Sequence, residues 1–268
     1  MSHFAVLVIG SNIDEQLAPY HEFECTGQND EYVQNVDITD EVLAQMEESE
    51  ESDKLKDALS YYGLENRVVS DESDAEIDGE DAKHKYGFAV VKNGKLIKAV
   101  NRTNPNRKWD WYQVGGRWSG LLKLKPEFAK NKFPQGDKSW TNSNEADIEG
   151  YVDSAPVGQV DFKAMREEAI ARREKYWAEA EAETKDTAMR YFRYGIQKDD
   201  TKESYVNRGA NFSLYALVKD SKWFAKGEMG WFGMSSDDMT DEQWQEEFTK
   251  LLNDLPPETI ITVVDCHI

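Results

Sequence analysis

The sequence predicts an α+β protein: a mostly antiparallel sheet with flanking helices, one long helix near residues 161–194, and ferredoxin-like elements at the termini. Three observations predict it. Continuous apolar runs lie near both ends, at His3–Ile9 and Thr259–Asp265. Short apolar runs face each other across turn dipeptides such as Asn93-Gly94. A long helical pattern starts behind Asp161 and stops at Gly195.

Taken in order, His3–Ile9 is apolar without alternation and is bounded by Gly10-Ser11-Asn12, which fits a strand buried on both faces. Asp14–Tyr20 reads as a short helix. Thr39–Tyr62 sets Val42, Leu43, Met46, Leu55, Leu59 and Tyr62 near helical spacing, interrupted by water-facing glutamates at 47, 48, 50 and 51. Ser70–Lys83 is an acidic linker without periodicity. Residues 44–82 as a whole read as an acidic, mobile insertion in a single domain spanning 1–268. Tyr86–Val100 is the clearest hairpin, because Asn-Gly readily adopts the positive φ angles of a type I′ turn. Trp109–Leu124 reads as a second hairpin closed by Gly115-Gly116, and 126–158 as a long loop.

Asp161 is placed to cap the long helix, whose Phe162, Met165, Ala169, Tyr176, Trp177, Ala180, Ala188 and Phe192 share a side; a break is expected near Thr184–Asp186. Phe212–Val218 and Trp223–Phe224 flank Asp220-Ser221 as a third hairpin. Gly227–Gly233 is a glycine-spaced aromatic stretch, a bulged strand or a lid. Thr240 and Gln243 match a capping box, opening a helix with Trp244, Phe248, Leu251 and Leu255 on one face. That helix stops before Pro256-Pro257 and the last strand follows. The order resembles the second half of a split βαβ unit, with the first strand as a neighbour.

Charge is unevenly spread. Residues 37–81 hold 17 acids and 3 bases, whereas 83–140 hold 14 bases and 3 acids, within a chain of net charge −20. Such a surface repels phosphates overall, although a local basic patch escapes that argument. Two cysteines form no disulfide framework and point to a reducing compartment. No signal-peptide core and no apolar stretch near membrane-spanning length is present, so the expected setting is cytoplasmic with no membrane partner. No Walker A loop, Gly-x-Gly-x-x-Gly, His-Glu-x-x-His, Cys-x-x-Cys or Gly-x-Ser-x-Gly occurs, which removes the familiar ATPase, Rossmann, zincin, zinc-ribbon and hydrolase signatures.

Two places can carry chemistry. In Asn104–Lys125, Trp109, Trp111 and Trp118 offer flat faces, Arg107, Lys108 and Arg117 offer cations, and Gly115-Gly116 lets backbone N–H groups approach an anion. Indole stacking with an arginine on a phosphate suits a nucleotide or another phosphate-bearing small molecule. The bland alternative is a hairpin whose aromatics are core. At the termini, Asp265 and His267 share a strand face while Cys266 points away, and His3 joins them if the first and last strands pair. That trio suits a divalent metal, of unassigned identity, or an oriented catalytic base. A minor cluster, His21-Glu22-Phe23-Glu24-Cys25, sets two glutamates on one face, which more simply reads as a solvated strand face.

The opening His3–Gly10 with Gln16–Tyr20, the central Lys108–Trp118 and the closing Val264–Ile268 together resemble a family of uncharacterised proteins carried by tailed bacteriophages and prophages. The resemblance implies a phage accessory protein acting in the host bacterial cytoplasm, with counter-defence as one role, and brings no catalytic residue with it. The leading expectation is therefore capture of a nucleotide at the Trp/Arg/Gly-Gly segment. The rivals are a metal-assisted hydrolase built on His3, Asp265 and His267, and an acidic protein that imitates nucleic acid toward a basic host protein. Cofactors and oligomeric state are left open.

Overall fold

The computed structural model describes residues 2–22, 25, 30–133, 148–229 and 235–268. The fold is α+β with mixed sheets and flanking helices. Contacts divide the chain into two compact units where the sequence reading takes one domain: unit 1 is Met1–Leu17 with Trp111–Ile268, and unit 2 is Ala18–Asp110. Elements are numbered along the chain.

Unit 1 is organised by β1 (His3–Ile9). It pairs antiparallel with β14 (Ile260–His267) and parallel with β10 (Ala216–Lys219). Beyond β10 lies β11 (Lys222–Ala225); beyond β14 lie β6 (Trp111–Val114) and β9 (Ser154–Pro156). The apolar run of β1 is buried on both faces, as its lack of alternation predicts. Ala5, Leu7 and Ile9 meet Val263 and Ile261 of β14 and pack on Trp244, Phe248 and Leu252 of α7 (Asp241–Asn253). Each fully buried leucine or phenylalanine here contributes about 1.5–3 kcal/mol. The capping box forms, with Thr240 and Gln243 satisfying each other's backbone N–H groups.

The long helix is two: α4 (Phe162–Glu183) and α5 (Thr187–Tyr194). Asp161 caps the first and Asp186 the second, its carboxylate accepting from the Ala188 and Met189 N–H groups, so the chain restarts a helix after Thr184–Asp186. Gly195 ends α5 at φ 67°. α6 (Lys202–Arg208) packs against α4, with Tyr205 buried between them and Arg173 lying 3.9 Å over its ring. The hairpin around Asp220-Ser221 forms with both residues at positive φ.

Three expectations are corrected. A ferredoxin-like split βαβ unit does not form: β11 and β14 run in the same direction on either side of α7 in sequence, but both β10 and β1 lie between them. Trp109–Leu124 is not a hairpin either, because β6 pairs with β14 while β7 (Leu122–Lys123) pairs with β8 (Tyr151–Val152). The stretch 126–158 is accordingly more than a loop, since it supplies β8 and β9. Residues 230–233 of the glycine-spaced stretch lie outside the described residues; 227–229 form β12 (Gly227–Met229), paired with β13 (Ser235–Asp237). A short α1 (Ile13–Leu17) follows β1.

Unit 2 is a four-stranded sheet, ordered β2 (Gln34–Asp37), β5 (Lys95–Thr103), β4 (Gly87–Lys92), β3 (Val68–Val69). Asn93 at φ 52° and Gly94 at φ 72° turn the predicted hairpin. Where one interrupted helix was expected, α2 (Thr39–Glu48) and α3 (Lys54–Tyr61) form, the second capped by Asp53. Val42, Ala58, Leu59 and Leu64 pack on Ala89 and Ala99. Ala58, Leu59 and Leu64, within the acidic stretch 44–82, therefore supply part of this unit's core.

The charge asymmetry also has a structural resolution. Lys92 pairs with Asp71 at 3.3 Å, Lys98 with Glu72 at 2.9 Å, and Arg102 with Asp30 at 2.9 Å. Asp71 and Glu72 of the acidic stretch thus pair with bases of the hairpin that follows it, and Arg102 of that hairpin pairs with Asp30, which precedes the stretch. Among the described residues no helix is long and apolar enough to cross a membrane.

Candidate functional site

Strand register builds the site in unit 1. The β1–β14 pairing sets His3 opposite His267, and the β14–β6 pairing sets His267 opposite Trp111. The three backbone positions thus stand in one cross-strand row, and their rings close into a mutually contacting cluster. His3 and His267 meet edge to face at 4.9 Å, His267 and Trp111 stack at 5.1 Å and 19°, and His3 lies edge-on to Trp111 at 5.3 Å. The terminal cluster expected from strand pairing is therefore assembled, with Trp111 added to it.

Asp265 lies two residues before His267 and so shares its face. Its Oδ1 is 2.9 Å from His3 Nδ1, and its Oδ2 accepts the Arg117 backbone N–H at 3.0 Å. A carboxylate accepts only from a protonated nitrogen, so the contact places a hydrogen on Nδ1 and, in the neutral ring, leaves the lone pair on Nε2. That is the orientation of a general base. The Asp265 side chain is 3% exposed, His3 is 13% exposed and Trp111 39%, so the row grades from a dry anchor to a wet rim.

The glycines meet anions, but the anions are the protein's own. Gly115 sits at φ 71° and Gly116 at φ 52°. A Cβ on Gly115 would stand 2.5 Å from the Asp153 carboxylate, and one on Gly116 would stand 2.4 Å from the Asp265 Cβ. Asp153 is fully buried and accepts from the Gly120 N–H at 2.6 Å and the Ser119 hydroxyl at 3.2 Å. The Gly115 N–H donates to the Val263 carbonyl at 2.9 Å. Two carboxylates thus grip the Gly115–Gly120 loop and hold it on β14, which is the physical reason the segment does not close as a hairpin.

The remaining predicted residues separate. Trp109 belongs to unit 2, where it is 7% exposed and stacked on His21 at 4.3 Å; its ring is not the open platform expected of it. Arg107, also in unit 2, lies 3.7 Å from Glu22 and donates to the Thr103 hydroxyl. Lys108 is half-buried there, its N–H on the Tyr20 carbonyl. Arg117 is exposed, and its guanidinium makes no ion pair among the described residues. Trp118 packs against the unit 1 core and lines a cavity of about 450 Å³ with Tyr151, Met165 and Arg172.

Cys266 points to the opposite face and is buried, as alternation requires. Glu22 is taken by Arg107, and Phe23 and Glu24 of the minor cluster lie outside the described residues. No group of three potential metal ligands is arranged to hold an ion among the described residues. Asp153 was missed from sequence because it sits in a stretch without periodicity, 33 residues from the loop N–H it holds. Comparison with protein-family models, with curated proteins and with solved structures returns no match, so the chemistry rests on these side chains alone.

Proposed function

We propose that unit 1 binds a planar, phosphate-bearing ligand, a nucleotide, over Trp111 and hydrolyses it with His3 as general base. The observation that carries this reading is the His3–Asp265 hydrogen bond beside a partly exposed indole. Trp111 supplies the stacking face, His267 backs that ring, and Arg117 supplies a cation on the loop that Asp265 anchors. His3 Nε2 would take a proton from a water attacking a ligand phosphorus; as the new P–O bond forms, the P–O bond to the leaving phosphate or nucleoside breaks, buried Asp265 stabilises the imidazolium, and that proton passes to the departing oxygen. The resemblance to phage-borne proteins adds a setting, counter-defence in the host cytoplasm. The rival reading of a nucleic-acid mimic is weakened by the pairing of Asp71 and Glu72 with Lys92 and Lys98.

Calorimetry against a nucleotide panel tests it. Trp111→Leu should weaken binding by about 1–3 kcal/mol, and Arg117→Ala by about 1.5–3 kcal/mol. His3→Gln should keep binding and lose turnover. Absence of heat with every nucleotide removes the proposal. Binding that ignores both Trp111→Leu and Arg117→Ala moves the ligand off this row.

A further inference from the structure

We infer that unit 1 carries a second binding site, a groove for a small anionic amphiphile: an acyl chain ending in a carboxylate. The groove runs between the start of α4 and the end of α7 and encloses about 560 Å³. That volume is typical of small-molecule sites, which are mostly apolar with a few convergent polar groups. It shares no residue with the His3–Asp265–Trp111 row, so it stands whether or not that row binds nucleotides.

Its composition identifies the ligand class. Phe162, Phe212 and Leu252 form the apolar wall, the two phenylalanine rings meeting at 5.5 Å. Lys125, Lys163 and Arg166 stand around it, and among the described residues its lining contains no carboxylate. This is a pronounced local reversal in a chain with 52 acids and 32 bases. Chance placement on such a surface would bring acids to the lining, whereas an anionic head excludes them.

Two of the cations are held in position by the groove itself. Lys125 Nζ donates to the Gly158 carbonyl at 2.6 Å, and Arg166 Nε donates to Asn211 Oδ1 at 2.9 Å. The Arg166 bond uses one edge of the guanidinium and leaves the terminal N–H fork for a carboxylate, the geometry that suits bidentate pairing. Among the described residues Lys163 is reached only by Glu167 at 3.9 Å, in an exposed pair that water screens. A free inorganic anion would use the cations and leave the apolar wall wet; an uncharged lipid would do the reverse. A carboxylate with a medium-length chain uses both.

Calorimetry with decanoate below its micelle concentration, decanol below its solubility limit, and acetate tests the assignment. Decanoate should bind, decanol more weakly, and acetate without measurable heat. The double variant Lys163→Glu, Arg166→Glu changes two exposed positions on α4 and should weaken decanoate by about tenfold or more. Thr249→Trp, which fills the groove from α7, should weaken it comparably; the exposed double variant keeps the test decisive if that bulky change disturbs folding. The assignment is overturned if decanoate does not bind, if acetate matches it, or if the charge-reversed variant binds it as the wild type does.

Discussion

Gly116→Ala is the sharpest perturbation this structure offers, because it sets a backbone cost against a packing cost at one atom. The residue sits at φ 52°, where an L side chain costs on the order of 1 kcal/mol. Its new Cβ would also stand 2.4 Å from the Asp265 Cβ and 2.5 Å from Oδ2. The neighbour is a short, buried side chain and cannot swing clear. Moving it breaks the bonds to His3 Nδ1 and to the Arg117 N–H, each a hydrogen bond to a charged group worth about 1.5–3 kcal/mol. With partial relaxation the total is about 3–5 kcal/mol. Gly94→Ala is the control, since it shares the positive φ, at 72°, but nothing lies within 4 Å of its Cβ. It should lose only the backbone cost of about 1 kcal/mol. Urea unfolding of the two variants, each followed by circular dichroism, reads the difference. Equal losses would refute the claim that Gly116 exists to admit Asp265.

Three further outcomes are expected. Asp265→Asn keeps the shape of the anchor but removes the charge that fixes the His3 tautomer. Nucleotide turnover should fall by about 10³–10⁴-fold, as for other histidine–carboxylate pairs, with binding heat retained; unchanged turnover would remove His3 as the base. Burial holds the His84 imidazolium below its ordinary value of 6.5, and its Nδ1 accepts the Glu76 N–H at 3.0 Å, which requires the neutral ring. The unfolded chain therefore binds the extra proton first, and stability falls as pH drops below about 6.5. His84→Gln should flatten the unfolding midpoint between pH 7 and 5, a window clear of Asp37 and Asp71, which are held below 3.8 by hydrogen bonds from Thr39 and Ser73. A slope that survives in the variant assigns it elsewhere. Finally, because Lys92, Lys98 and Arg102 are neutralised within unit 2, single-stranded DNA should not be retained at physiological salt, by fluorescence anisotropy. Salt-sensitive binding at that ionic strength would contradict the pairing.

What was legible in the sequence was local. Asn93-Gly94, Asp220-Ser221, the Thr240–Gln243 box and the Asp161 cap each need only a few residues to specify their geometry, and each forms. The cluster of His3, Asp265 and His267 was reachable too, because strand alternation fixes which side chains share a face once two strands are paired. The pairing of β6 with β14 was not reachable. Gly115-Gly116 reads as a turn until Asp153 and Asp265 are known to occupy the space that two Cβ atoms would fill, and those carboxylates are remote in sequence. The same limit applies to charge. Acidic and basic stretches look like separate surfaces along the chain, whereas the sheet of unit 2 lays Lys92 against Asp71 and Lys98 against Glu72.

That remote grip changes what the Gly-Gly-Arg segment can do. A flexible glycine loop could fold onto a phosphate with its own N–H groups, but the Gly115, Arg117 and Gly120 donors are already engaged by the Val263 carbonyl and two buried carboxylates. An incoming anion would find those donors occupied and two negative charges behind them. What the loop retains for a ligand is the Arg117 side chain, carried on a backbone whose position is tied to Asp265 Oδ2. Because the other oxygen of the same carboxylate holds His3, any force on Arg117 reaches the imidazole through one rigid, buried group. On the proposed function, recognition at the rim and orientation of the base would therefore act as a single mechanical unit. Substitutions at Arg117 and His3 should consequently couple, with a double-mutant interaction energy of about 0.5–3 kcal/mol in nucleotide turnover. Strict additivity would mean that the loop and the imidazole act apart.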